Sequence, residues 1–109
     1  MEAWINYTKL FWAFDYVHDL VRANPGEAIE LTRRLIDAAL DPMALAVVAA
    51  GPLEDLLRYH CSEVISRVEE FAASDEKFRT ALGGVWLNEG DEAFTRVKSL
   101  IDRYDIQPL

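Results

Sequence analysis

The sequence predicts an all-α protein of about six helices, a short helical-repeat-like stack or irregular bundle forming a single domain over residues 1–109. Three observations predict it. Apolar residues recur at three- and four-residue spacings along most of the chain. The four Pro and five Gly fall where helices should begin or end. No sustained period-two run bounded by hairpin turn residues occurs, so no sheet is expected.

The first helix should run from about Trp4 to Ala23, with Leu10, Phe14, Val17 and Val21 on one face. It stops at Asn24-Pro25-Gly26-Glu27, where Asn is a good N-cap, Pro suits the first helical position and Glu27 completes a capping box. A second helix from Pro25 to Leu40 should bury Ala28, Leu31, Leu35, Ala38 and Ala39 and leave Arg33, Arg34 and Asp37 in water. Asp41-Pro42 repeats the cap-then-proline signal and opens a short helix, Met43 to Ala49, apolar nearly all round and so expected in the interior.

Gly51-Pro52 should break and restart the chain. Gly51 permits a tight backbone approach, and Glu54 lies in the first turn, where a carboxylate meets unpaired N–H groups. Leu53, Leu56, Leu57 and His60 share one face. Ser62 is the expected cap of an amphipathic helix that buries Val64, Ile65, Val68, Phe71 and Ala72. Ser74-Asp75 caps a short helix through Phe78 and Leu82, stopped by Gly83-Gly84. The last helix, from about Asp91 to Tyr104, should bury Phe94, Val97, Leu100 and Ile101. Leu31, Leu35, Ala38 and Ala39 also align with Val64, Val68, Phe71 and Ala72 at an offset of 33, a period seen in stacked helix-pair solenoids.

Composition bounds the function. Eleven Lys+Arg against 19 Asp+Glu give a formal charge of −8. That excess weighs against a nucleic-acid binder, which needs a basic face for phosphates, and fits a basic protein partner. The lone Cys61 excludes an intramolecular disulfide framework and agrees with a reducing cytosol. No apolar run reaches the ~20 residues of a membrane helix. Met1-Glu2-Ala3-Trp4 lacks the positive start of a secretory signal, so a cytoplasmic location and no membrane partner are expected.

Catalytic patterns are sparse. Asp15 and His18, and His60 and Glu63, each stand three residues apart, a spacing that sets a carboxylate beside an imidazole on a helix. A di-metal bundle needs such a pair twice with two further inward glutamates; here the first pair sits at the flank of the first helix face and the second straddles the Ser62 break, so no metal and no cofactor are expected. His60 reads as a half-buried polar residue at a helix end and Cys61 as packing. Gly83-Gly84 lacks the Lys, Ser or Thr of a phosphate loop, and no nucleophile-elbow or zinc-helix pattern occurs. An enzyme is not expected.

Two surfaces stand out instead. Of the 12 aromatic residues, six crowd the first 16 positions, and Trp12, Tyr16 and Leu20 form a stripe separate from the Phe14 face. Trp12 and Tyr16 could anchor a partner or a second copy. Leu53 to Glu76 carries seven acids, Glu54, Asp55, Glu63, Glu69, Glu70, Asp75 and Glu76, against Arg58 and Arg67. Glu54, Asp55, Glu69 and Glu70 would steer a basic partner to that surface.

The stretch Ala49-Ala50-Gly51-Pro52-Leu53-Glu54-Asp55-Leu56-Leu57, with His60, Phe78-Arg79 and Leu82-Gly83-Gly84-Val85-Trp86, resembles a family of small bacterial proteins known as a domain of unknown function. The resemblance covers about Asp41 to Trp86, and the chain departs from the family pattern at Cys61, where Gly is common. It implies a compact helical fold and no particular reaction. The expected function is a non-enzymatic protein-binding module, an immunity-type protein that neutralises a toxin by direct contact. Alternatives are an adaptor that dimerises through Trp12 and Tyr16, an acidic nucleic-acid mimic and, last, an enzyme using His60.

Overall fold

The computed structural model describes residues 15–109, which are all-α and contain no strand. They form α1 (15–23), α2 (Pro25–Ala38), α3 (Pro42–Val48), α4 (Glu54–Tyr59), α5 (Cys61–Ser74), α6 (Glu76–Leu82) and α7 (Phe94–Tyr104). A π-turn, Ala49–Leu53, joins α3 to α4, so the described residues make six helical rods. The expected start of α1 at Trp4, with Leu10 and Phe14, lies outside the described residues; Val17 and Val21 are buried as expected.

Single non-helical residues punctuate the chain. Asn24, His60 and Asp75 have φ of −154°, −135° and −133°. Each closes one helix with its N–H and opens the next with its C=O: Asn24 bonds Leu20 and Ala28, His60 bonds Leu56 and Glu63, and Asp75 bonds Phe71 and Arg79. The caps at Asn24, Asp41 and Asp75 are as the sequence predicts. Their side-chain oxygens accept from Glu27, from Ala44, and from Lys77 and Phe78. The cap of α5 is His60, not Ser62, which lies inside the helix.

α2 and α5 pack against each other, and both meet α4 and α6. The buried face of α2 is Ala28, Ile29, Thr32 and Ile36; Leu31 and Leu35 only flank the core and Ala38 is exposed. A pattern that follows leucines misplaces this stripe, because Thr32 occupies the centre by satisfying its hydroxyl on the Ala28 carbonyl, 2.7 Å away. The offset changes with it. Ala28, Ile29, Thr32 and Ile36 correspond in burial to Val64, Ile65, Val68 and Ala72, 36 residues later and not 33. Both α2 and α5 have 14 residues, and both are followed by a seven-residue helix behind an Asp cap.

α3 is interior on one side only. Ala44, Leu45 and Val48 are buried, while Met43 is 67% exposed and Val47 43%, as a seven-residue helix between α2 and solvent requires. Gly51-Pro52 does not break the chain. Proline lacks an N–H and its ring collides with the carbonyl four residues back, and the wider π-turn absorbs both without ending the rod. Among the described residues a Cβ built on Gly51 would touch nothing, so no close backbone approach among them explains this glycine.

α7 begins at Phe94, later than Asp91, because Asp91 accepts from the Asn88 N–H in the turn that precedes it. Val97 and Leu100 are buried; Phe94 and Ile101 are half-buried. Gly83-Gly84 ends α6 as predicted, and a second reason for it emerges. The C-terminal tail crosses there, with the Leu109 N–H donating to the Gly83 carbonyl at 3.0 Å. A Cβ on Gly83 would fall 2.1 Å from the Gln107 carbonyl oxygen.

Candidate functional site

α1 faces the α3–α4 rod across a groove. One end, about 250 Å³, is lined by Asp15, His18, Val21, Val47, Gly51, Pro52 and Asp55. The other, about 380 Å³, is lined by His18, Val21, Arg22, Asp55, Tyr59 and His60. Both histidines of the chain therefore border one groove. The sequence separates them by 42 positions (18 to 60), and only the folding of α1 against α4 brings them together. Val21 and Pro52 are buried and give it an apolar floor. The side chains of Asp15 and Asp55 make no hydrogen bond or ion pair among the described residues. His60 uses Nδ1 to meet Glu63 Oε2 at 2.9 Å. No group of three or more His, Cys, Asp or Glu among the described residues is arranged to hold a metal ion.

On an adjacent face of α4, Glu54 and Arg58 hold the loop after α6. Glu54 Oε1 accepts from the Trp86 N–H at 2.7 Å, and the Arg58 guanidinium donates to the Trp86 carbonyl at 2.7 Å. Arg58 also lies 3.8 Å from Glu54 Oε2 and 3.7 Å from Asp91 Oδ2. With both backbone groups satisfied, the Trp86 indole stands 78% exposed. Tyr59, on the same short helix, is 68% exposed. Sequence reasoning passed over Tyr59 and took Trp86 only as part of a family pattern; the i, i+4 spacing of Glu54 and Arg58 was the available signal.

The residues nominated from sequence are placed as follows. Trp12 lies outside the described residues. Tyr16 is 60% exposed on α1. Glu54 is turned inward to Trp86, with 15% of its side chain exposed. Asp55 lines the groove. Glu69 pairs with Arg96 of α7. Glu70 and Glu30 share Arg67, whose guanidinium lies 4.5 Å over the Phe71 ring; Arg33, expected in water, covers the same ring from 5.0 Å. With Glu63 on His60 and Asp75 capping α6 beside Arg33, five of the seven acids between Leu53 and Glu76 have partners inside the chain. Cys61 is a buried free thiol, its pKa pushed up by burial first and by the nearby Glu92 carboxylate second.

No helix of the described residues is long and apolar enough to cross a membrane. Neither a curated protein nor a solved structure matches the chain. A family profile does match, over residues 2–104, well beyond the Asp41 to Trp86 stretch that carries the resemblance by eye. The Glu54–Arg58 grip on Trp86 ties the two halves of that stretch together in space. The chain belongs to the family of unknown function DUF6869.

Proposed function

We propose that this chain is a non-enzymatic protein-binding module that engages its partner through the exposed aromatics around α4, with an immunity-type protein that neutralises a toxin by direct contact as the specific form of that reading. One observation carries it. The fold commits Glu54, Arg58 and Asp91 to fixing the Trp86 backbone while leaving the indole in water. A rigid, exposed Trp loses little entropy on binding and offers a large contact area, which is why Trp and Tyr dominate interface energetics.

The nucleic-acid mimic draws less support, because the internal pairs of Glu54, Glu63, Glu69, Glu70 and Asp75 leave only Asp55 and Glu76 of the seven acids from Leu53 to Glu76 without a side-chain partner among the described residues. Capture from bacterial lysate with matched wild-type and Trp86→Ala baits tests the reading. A partner retained by the wild-type chain and lost by the variant is expected; identical captures by both overturn it.

A further inference from the structure

The charge of the groove is graded along its length. Asp15 lines only the end beside Gly51 and Pro52, Arg22 lines only the end beside Tyr59 and His60, and Asp55 and His18 border both. The Asp15 end thus has an acidic residue on each of two walls, Asp15 of α1 and Asp55 of α4, beside the buried Val21 and Pro52. Neither carboxylate is paired within the described residues, in contrast to the acids of α5. Gly51 borders the same end, and a Cβ there would meet nothing among the described residues. From Val47 on its wall, an exposed apolar strip runs along α3 to Met43.

We infer that this groove receives an arginine side chain of a protein partner. Its methylene stem lies on Val21, Val47 and Pro52, and its guanidinium sits between Asp15 and Asp55. A planar fork with donors on two edges can serve two carboxylates at once, which a lysine ammonium does less well. The −8 charge of the chain guides such a partner toward it. The groups that face the guanidinium are Asp15 and His18 of α1 and Asp55 of α4. Arg22, Tyr59 and His60, with Glu63 behind His60, stand at the far end. This inference names the chemistry of the partner and so rests on the protein-binding reading.

The probes are blocked arginine, blocked lysine and blocked citrulline, each titrated into the isotope-labelled full chain and followed by backbone amide shifts. Arginine should move the Val47, Gly51 and Asp55 amides in a saturable way, at the millimolar level usual for so small a ligand. Lysine should bind more weakly, and citrulline, which lacks the charge, should not bind. Asp55→Asn, nearly isosteric and with no side-chain partner to lose among the described residues, should weaken arginine at least about fivefold through loss of one charge-assisted hydrogen bond. Gly51→Leu should block the site without removing charge. Equal shifts with citrulline, a preference for lysine, shifts scattered over the acidic surface, or unchanged affinity in both variants would each overturn the inference. A partner captured through Trp86 alongside a silent arginine titration sinks the groove assignment and leaves the binding-module reading standing.

Discussion

Glu54 and Arg58, one turn apart on α4, grip opposite polar groups of a single residue: Glu54 takes the Trp86 N–H and Arg58 takes its carbonyl, each at 2.7 Å. Both grips are charge-assisted and lie at the edge of solvent, with 15% and 28% of the two side chains exposed.

Removing either partner should therefore cost more than an exposed ion pair does. Glu54→Ala or Arg58→Ala is expected to destabilise by about 1–3 kcal/mol, the cost of leaving a polar group unsatisfied. Urea denaturation of both single variants and the double variant should show losses that do not add, because the first substitution already frees the loop.

Gly83→Ala should destabilise by about 1–3 kcal/mol, because its Cβ would collide with the Gln107 carbonyl, a backbone atom that cannot swing aside. The same substitution in a chain ending at Asp105 should cost much less. Thermal melts of the four proteins measure this, and an equal cost in both backgrounds would show that the collision is not the cause.

Lys77 donates to the carbonyls of Asp37 at 2.9 Å and Ala39 at 2.7 Å, closing the end of α2 from another helix. Lys77→Met keeps the stem and removes both bonds, so a loss of about 1–2 kcal/mol is expected by denaturant titration. Amide exchange should accelerate at the last turn of α2 before it does at Val64 or Val68.

Burial and Glu92 raise the Cys61 pKa, so the folded chain holds the thiol form more strongly than the unfolded one. Stability due to this group is present below the ordinary thiol pKa and is lost as pH rises through that value toward the raised one. A chromogenic disulfide reagent at pH 8 should react slowly with the native chain and rapidly once urea unfolds it. Cys61→Ala should flatten the alkaline fall in stability.

Local chemistry was readable in the sequence, and long-range geometry was not. Asn24, Asp41 and Asp75 act as caps because a side-chain oxygen and the residue after it decide that within a single turn. Pro52 inside a continuing rod depends instead on what the rod packs against, and local rules make Gly-Pro a stop. Thr32 took the centre of α2 from Leu31 because a neighbouring carbonyl satisfies its hydroxyl, which hydrophobic periodicity does not count. The groove escaped for a similar reason: Asp15 stands out beside His18 and Asp55 within the acidic stretch, but nothing local sets them on facing walls from 40 positions apart (15 to 55). Glu54 and Glu69 read as free charge until Trp86 and Arg96 arrived to occupy them.

The π-turn at Ala49–Leu53 also sets an azimuth. In a helix each residue advances the rotation by about 100°, so the phase gained in that turn decides which side chains of α4 point where. As built, Glu54 and Arg58 aim at Trp86 while Asp55 and Tyr59 aim at the groove. Deleting one residue from the turn would rotate α4 as a unit, withdrawing the grip on Trp86 and turning Asp55 away from Asp15 together. The turn acts as an angular spacer that locks the two faces into one setting, so a change in its length resets both at once.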